Sequence, residues 1–448
     1  MGWIEQHSAI CKRALRASLF VGVVLVIINH SGVLFGEEIT HRRLMQIVLC
    51  FVVPFVVSAY SQVSMIKPYR AGRDHFSLRR YMEKYFFNHK QYSNVTVQKE
   101  AEMASMSSLE RVAATLQLKE PDRVPVIPVV MIRALKEAGL KGSRDVLHDP
   151  HLMAGAKIES YKKFGGDALI AGTGLNVEAE AMGCLMEYLD EGIPVVLERP
   201  LERDPSLEQL QELDTSKGRV PSVAKEVSIL SKEYGANVVI GAPVSGPFTT
   251  AMELRGLEKG ISDYQNNPGY FNRLMEHATE AAVRYADILI DHGALGLVLL
   301  DPLSSCDVIS PSFYRSTVMP SQMKVINHIK TRGRVPIIHI CAYTEPIWKD
   351  IVSLGAFAFH GDILPGIKSC KEQIGSQICL VGNVDPVQVL FYGTPSDVRA
   401  AAEECIRQAA PGGGFILASG CDTGYDVPSD NILSLVETAH RFSYPLPF

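Results

Sequence analysis

Short runs of apolar, β-branched residues alternate with amphipathic helical stretches from about residue 108 to the C-terminus. This alternation is typical of parallel α/β folds, in which a helix follows each strand and covers the sheet. The runs predict strands at Val124–Val130, Ala168–Gly172, Val238–Pro243, Leu295–Leu300, Pro336–Cys341, Ala356–Gly361, Ile378–Asn383 and Phe415–Gly420. Eight strands in this order predict a (β/α)8 TIM barrel. A further apolar run at Pro194–Arg199 fits an insertion between the second and third strands.

Two longer apolar stretches precede the barrel region, at residues 14–35 and 44–63. Each has about 20 residues, which is the length that crosses a bilayer. The first stretch alone could be a secretory signal, but a second follows at once and no small-residue cleavage site is evident. The pattern therefore favours a two-helix transmembrane hairpin.

Basic residues cluster before the first apolar stretch and again after the second. The positive-inside rule therefore predicts that both ends of the hairpin, and the barrel that follows, lie on the cytoplasmic side of the inner or plasma membrane. A basic and aromatic linker follows, and it either lies on anionic headgroups or is a plain solvated connection. The predicted segments are the membrane hairpin at 1–66, the linker at 67–107 and the barrel at 108–448.

The composition narrows the class of protein further. A hydrophobic content of 47% and a charged content of 21% supply a sizeable core and exclude a disordered chain. The net charge of −5 leaves no surplus of basic residues to neutralise phosphates, so we expect no nucleic-acid partner. Nine cysteines without regular spacing, in a chain this long, favour free thiols in a reducing compartment.

Polar side chains follow several of the predicted strands. They are Asp301, His339, Cys341, Asp362, Asn383, Asp385 and Cys421. A barrel gathers its chemistry where the strands end, so it would bring these side chains to one rim. Of these, Asp385 is better explained as a cap of the helix expected to follow it than as a substrate contact.

His339 and Cys341 are two positions apart, so in a strand they point to the same face with Cα atoms about 6.5 Å apart. A His-x-Cys pair alone is more often core packing than a metal site. Cys421 follows the last predicted strand and could supply a third ligand across the barrel mouth. Two sulfurs and one imidazole are a zinc-type set, and three protein ligands leave one tetrahedral position open, as a catalytic site requires.

The open position of such a site could hold water or a substrate thiol. Two thiolate ligands already donate strongly to the metal, which favours a bound thiolate nucleophile over a strongly acidified water. Binding would release the thiol proton at neutral pH, and the thiolate could then accept an alkyl group. We therefore expect a small-molecule thiol as a substrate.

The barrel region resembles the uroporphyrinogen decarboxylase superfamily in four stretches, which read SLERVAATLQLKEPDRVPVIPVV, ISPSFYRSTVMPSQMKVINHI, GNVDPVQVLFYGTPSDV and GGGFILASGCDTGYDVPSDNILSLVETA. Within the region, HIC followed by SGCD is similar to the methylcobamide:coenzyme M methyltransferase branch. This resemblance implies zinc on His339, Cys341 and Cys421. It also implies that a zinc-activated thiol attacks a methyl group carried by a corrinoid, on a partner protein.

Further site residues come from the same comparison. Glu178 and Glu180 in NVEAEAMG match the methyltransferase-like branch, where they could orient a substrate or a zinc ligand, or they could be an exposed loop pair. Asp362 matches an acidic position that follows the sixth strand, and we expect a catalytic role for it. Asp301 and Asn383, at the ends of the fourth and seventh strands, are candidates for cofactor binding.

Two other functions stay open. The first is uroporphyrinogen decarboxylase activity, which ranks below methyl transfer because two positions differ from the decarboxylase pattern. Gly174 stands where that branch has an aspartate, and Cys421 replaces the histidine of its late Gly-His-Gly motif. The second is a transporter-associated module in which the barrel binds a regulatory ligand. It follows from INHSG and FVVPFVVSAYSQV, which resemble the NrtS type of nitrate/nitrite transporter and imply an anion-transport role. The sequence leaves open whether the protein forms a homo-oligomer.

Overall fold

The computed structural model describes residues 106–210, 212–363 and 366–448. The predicted membrane hairpin, and nearly all of the predicted linker, lie outside the described residues. Within the described part of the chain, no helix combines the length and apolar character that crossing a bilayer requires. The described residues therefore cover the predicted barrel region.

Seven parallel strands form one sheet, and a separate two-stranded sheet lies outside it. In chain order the strands are β1 (Ala168–Ile170), β2 (Leu185–Glu187), β3 (Val195–Glu198), β4 (Val239–Ser245), β5 (Gly296–Leu300), β6 (Val335–Ile340), β7 (Ala358–Gly361), β8 (Cys379–Val384) and β9 (Phe415–Ser419). The order across the large sheet is β1-β4-β5-β6-β7-β8-β9. Strands β2 and β3 pair antiparallel, which places the run at Pro194–Arg199 in an insertion.

Helices separate the parallel strands, as the alternating pattern predicts. The described α-helices are Ser108–Leu116, Ala134–Glu137, Arg144–Leu147, Pro150–Phe164, Val177–Ala181, Val220–Tyr234, Pro247–Arg255, Leu257–Asn266, Pro268–Asp291, Pro311–Phe313, Met319–Thr331, Trp348–Ser353, Ile367–Ile374, Pro395–Ala409 and Ser429–His440. Short 3-10 turns lie at Leu207–Gln209, Pro302–Ser304 and Glu345–Ile347, and a π-helical turn lies at Tyr314–Val318. The result is a barrel-like α/β fold with helices between consecutive strands of the sheet.

The prediction of a regular strand at Val124–Val130 is wrong. This segment makes a single parallel bridge, between Val126 and Leu417 of β9. On its other side, the carbonyl of Val126 accepts from the backbone N–H of Asp167, which directly precedes β1. Pro125 and Pro128 have no N–H to donate, so a continuous ladder cannot form here. The segment nevertheless lies between β9 and the start of β1.

The two faces of strand β6 contact different parts of the protein. Ile338 and Ile340 are fully buried in the cluster that also contains helix residues such as Val325. The alternate positions, Val335 and Ile337, belong to a second cluster inside the sheet. Because successive side chains of a strand point to opposite faces, His339 shares the inner face with these two residues.

The start of β1 is held by buried charges. Asp167 is fully buried and accepts from Nη1 of Arg111 at 2.7 Å, from Nη1 of Arg123 at 2.9 Å and from Oγ of Ser108 at 2.8 Å. Ser108 and Arg111 belong to the helix Ser108–Leu116, so this carboxylate attaches the helix to the amino-terminal end of the sheet. A buried carboxylate needs such partners to offset its lost hydration.

Candidate metal centre

Three side chains meet where strands β6 and β9 end, two from neighbouring positions of the chain and one from 80 residues further on. Nε2 of His339 lies 2.9 Å from Sγ of Cys341 and 3.7 Å from Sγ of Cys421. The two sulfurs are 3.6 Å apart. All three donor atoms lie within 4.8 Å of one another, so one ion could contact all of them.

The orientation of His339 is set by its neighbour on strand β7. Nδ1 of His339 lies 3.0 Å from the carbonyl oxygen of His360, which can only accept, so this nitrogen carries the proton. Nε2 therefore presents its lone pair to the two cysteines. His360 in turn donates from Nε2 to the carbonyl of Ser419 at 2.8 Å, and burial lowers its pKa to about 3. Both rings are thereby fixed by backbone carbonyls.

The two thiols differ in acidity. The hydrogen bond with Cys341, followed by that with His339, lowers the pKa of Cys421, whereas the hydrogen bond with Cys421 and burial raise the pKa of Cys341. Burial lowers the pKa of His339, but the hydrogen bond and charge of Cys421 outweigh it, so the net direction is upward. The cluster thus favours negative charge on the sulfur of Cys421, which is the state in which a cysteine binds a metal.

The donor set and its spacing fit zinc. Tetrahedral bond lengths place two sulfurs roughly 3.8 Å apart and a nitrogen and a sulfur roughly 3.5 Å apart. The two contacts that Cys421 makes are close to these separations, and the contact between His339 and Cys341 is shorter. One imidazole and two thiols leave one tetrahedral position for a substrate atom.

Asp362 contacts the turn that carries Cys341. Its Oδ2 accepts from the backbone N–H of Ala342 at 2.8 Å, and its Oδ1 accepts from that of Ile363 at 2.7 Å. Ala342 has a φ of 63°, in the left-handed region that an alanine rarely adopts. The carboxylate therefore stabilises an unfavourable backbone conformation directly after a candidate ligand. The structure thus gives Asp362 a contact that positions the turn beside Cys341, and its expected catalytic role stays a prediction.

Asn383 and Asp301 have protein partners. Nδ2 of Asn383 donates to the carbonyl of Asp362 at 3.0 Å, close to the same turn. Asp301 is fully buried and accepts from Oγ1 of Thr249 at 2.7 Å and from Nε2 of Gln322 at 2.8 Å. Burial raises the pKa of Asp301 despite these bonds. The structure thus places Asn383 beside the Cys341 turn and Asp301 in a buried polar network, and their predicted cofactor contacts stay predictions.

Glu178 and Glu180 lie on the short helix after β1, and both are engaged by the protein. Glu178 accepts from the backbone N–H of Ser245 at 2.7 Å and from its hydroxyl at 2.9 Å. Burial raises the pKa of Glu178 to about 7. Glu180 pairs with Nε of Arg219 at 2.7 Å and accepts from the hydroxyl of Tyr188. Neither carboxylate lines the cavity described next, and their catalytic role stays a prediction.

A cavity of about 160 Å³ extends from the three donor atoms into the interior of the sheet. Its walls are almost entirely apolar, and the missing side chain of Gly296 leaves part of the space open. This cavity was not predicted from the sequence. Glycines inside strands were the available signal, since such residues often mark a close approach of a ligand or of another backbone.

The site and fold together define a barrel-like α/β protein with a histidine and two cysteines at the rim of an apolar interior. The profile of the uroporphyrinogen decarboxylase (URO-D) family matches residues 107–442. The chain therefore belongs to this family, which confirms the resemblance of its barrel region.

Proteins with two different activities are similar to this chain. The methylcobamide:CoM methyltransferase MtbA of Methanosarcina mazei is 26% identical over 345 residues, covering 76% of this chain and 100% of that protein. The uroporphyrinogen decarboxylase of Geobacter sulfurreducens is 24% identical over 302 residues, covering 66% of this chain and 86% of that protein. A solved methyltransferase from Methanosarcina mazei is 26% identical, with a TM-score of 0.69 over 75% of this chain and 99% of that one.

Proposed function

We propose that this protein is a zinc-dependent methyltransferase that moves a methyl group between a corrinoid and a thiol. One observation carries the proposal: His339, Cys341 and Cys421 place one nitrogen and two sulfurs within 4.8 Å at the opening of an interior cavity. The likeness to methylcobamide:CoM methyltransferases supports the same reaction class. The corrinoid would be carried by a partner protein.

The residues of this chain would hold the zinc and keep its surroundings ordered. His339 would bind through Nε2 because Nδ1 donates to the carbonyl of His360, and the two cysteines would bind as thiolates. Zinc held by these residues would favour the deprotonated form of a thiol, with its proton released to solvent, and a corrinoid would supply the methyl group and retain the electron pair of the bond to it. Asp362 would keep the Cys341 turn in place.

Porphyrinogen decarboxylation is the second candidate, because relatives with that name match the chain. The cavity argues against it. Gly174 lines the wall where the decarboxylase pattern has an aspartate, and Cys421 occupies the position of a histidine in that pattern. A substrate with several carboxylates also requires cationic partners, and no lysine or arginine is among the described residues that line this cavity.

We propose further that residues 1–66 anchor the enzyme in the inner or plasma membrane with the catalytic domain in the cytoplasm. The apolar lengths of the two stretches and the basic residues outside them support this topology. The NrtS-like pattern leaves an anion-transport role for the hairpin as the alternative. The predicted topology is tested by introducing cysteines near both ends of the hairpin and labelling them from outside intact cells. Labelled ends would contradict the proposal.

The test of the reaction uses the full-length protein reconstituted with zinc. Methylcobalamin is supplied as a free corrinoid, with 2-mercaptoethanesulfonate and hexane-1-thiol as probes, and mass spectrometry detects the methyl thioether. We expect product with the wild type and with Cys306→Ala, a thiol outside the cluster, and no product with Cys421→Ala. If the wild type instead releases carbon dioxide from uroporphyrinogen, and Cys421→Ala releases it at the same rate, the proposal is contradicted.

A further inference from the structure

The cavity behind the metal centre has the length of a barrel strand. Along β6 its wall includes Val335 at the amino-terminal end of the strand, then Ile337, His339 and Cys341. These alternate positions span about 20 Å, at 3.3 Å per residue. The cavity therefore runs from the three donor atoms towards the opposite end of the sheet.

The opposite end of the cavity is covered by the first described helix. Val112 and Leu116 of Ser108–Leu116 are buried and belong to the cavity wall. The buried bond between Arg111 of this helix and Asp167, 2.7 Å long, attaches it to the start of β1. A ligand would therefore enter past the metal centre, and its distal part would point towards this helix.

Part of the space exists because Gly296 carries no side chain, although most other residues of the wall are branched. Barrel interiors are commonly filled by branched side chains such as valine, isoleucine and leucine. Here Gly241 and Gly296 stand side by side on β4 and β5, where their backbones pair. A Cβ on Gly296 would lie 3.8 Å from Val239 and 4.0 Å from Ile337, which is ordinary contact. Nothing in the backbone requires a glycine at this position.

The charge of the wall restricts what can occupy the cavity. No lysine or arginine is among its described lining residues, and its polar members are the three candidate ligands, His360 and Asp422. Asp422 is itself acidic and accepts from the backbone N–H of Met131 at 2.9 Å. Lys157 donates to the carbonyl of Met131 at 2.7 Å and does not line the cavity. A buried anion would therefore lack a cationic partner, which is costly.

We propose that the thiol substrate is an uncharged alkyl thiol whose hydrocarbon chain occupies this cavity while its sulfur lies at His339, Cys341 and Cys421. This inference rests on the proposed function and specifies its substrate class. A dry apolar cavity of about 150 Å³ accommodates benzene, so the space here suits roughly six carbon atoms in a narrow chain. Anionic thiols such as 2-mercaptoethanesulfonate would bind poorly.

The first test measures binding to the zinc-loaded, full-length protein by calorimetry. The probes are ethanethiol, butane-1-thiol, hexane-1-thiol and 2-mercaptoethanesulfonate. Each added methylene should tighten binding roughly fourfold, so hexane-1-thiol, with four more methylenes, should bind roughly 250-fold more tightly than ethanethiol. Binding that does not change with chain length, or that is tightest for the sulfonate, would overturn the inference.

The second test fills the cavity far from the metal. Gly296→Ala and Gly296→Leu extend into it from the start of β5, and Gly155→Leu adds the same side chain on a helix, where nothing lies within 4 Å of the added Cβ. In Gly296→Leu we expect hexane-1-thiol to bind no more tightly than ethanethiol, while the affinity for ethanethiol and the zinc content stay unchanged. Gly296→Ala should lose part of the increase in affinity with chain length, and Gly155→Leu should keep all of it. Equal tightening with chain length in all three variants would overturn the inference.

A third measurement separates the inference from the proposed function. Hexan-1-ol has a similar chain without a thiol, and we expect it to bind the metal-free protein and Cys421→Ala, but not Gly296→Leu. Zinc binding without hexan-1-ol binding would overturn the alkyl-chain inference alone. Hexan-1-ol binding by a protein that takes up no zinc would overturn the proposed function and the assignment of a thiol.

Discussion

The carboxylate of Asp362 accepts a hydrogen bond from the backbone N–H of Ala342 at 2.8 Å, directly after the candidate ligand Cys341. Since Ala342 is in the left-handed region, with φ of 63°, this bond stabilises the turn that aims the cysteine at His339 and Cys421. The geometry of the candidate metal centre therefore depends on Asp362, which makes no hydrogen bond to any of the three donor atoms.

Asp362→Ala should weaken zinc binding without removing it. Groups that orient metal ligands typically contribute about 10–100-fold in affinity, and we expect a loss in this range. Competition with a chromogenic chelator measures the affinity. Asp385→Ala is the matched control, because Asp385 also follows a strand but accepts only from the N–H groups of Val387 and Gln388. Equal zinc affinity in wild type and Asp362→Ala would refute the positioning role.

Glu178→Gln should change how stability depends on pH. Burial raises the pKa of Glu178 from 4.5 to about 7 in the folded protein, so the folded state keeps this proton while the unfolded state releases it. The contribution to the free energy of unfolding therefore falls by about 3 kcal/mol as pH rises from 4.5 to 7, and is constant on either side. Glutamine cannot release a proton, so the variant should lack this fall.

Denaturant unfolding at pH 4.5, 6 and 7.5 gives the free energies for Glu178→Gln and the wild type. The exposed Glu187 provides the control substitution, Glu187→Gln, which should follow the wild type at every pH. If the difference between Glu178→Gln and the wild type is the same at all three pH values, the raised pKa of Glu178 is wrong.

Asp167→Ala should destabilise the fold. The substitution leaves two guanidinium groups, of Arg111 and Arg123, without the fully buried carboxylate that they share. Removing one partner of a buried ion pair typically costs about 3–5 kcal/mol. Chemical denaturation of the full-length protein measures the loss. The exposed pair of Lys162 and Glu159 is the comparison, since Glu159→Ala should cost at most about 1 kcal/mol.

The order of the parallel strands and the cluster of His339, Cys341 and Cys421 could be predicted from local patterns. Apolar runs mark buried strands, and in a barrel-like sheet the residues that end them lie at one rim. The structure brings these three side chains together across 82 residues of sequence. The run at Val124–Val130 was misjudged because its composition is that of a strand, although its two prolines were visible.

The environments of Glu178 and Glu180 could not be predicted from their own segment. Their partners Ser245 and Arg219 are 67 and 39 residues away and reach them through the packing of other elements. The cavity could not be predicted for the same reason, because the side chains that line it come from several strands at once. A feature that depends on many distant residues leaves little trace in any one stretch of sequence.

The most direct test of the central claim is the metal content and metal environment of the full-length protein after zinc reconstitution. Elemental analysis should find one zinc per chain. Zinc X-ray absorption should find that the side chains of this cluster provide two sulfur atoms at about 2.3 Å and one nitrogen at about 2.0 Å from the ion. Cys341→Ala and Cys421→Ala should each lose the metal, while Cys306→Ala keeps it. A protein that takes up no zinc, or that binds it without sulfur, would contradict the account.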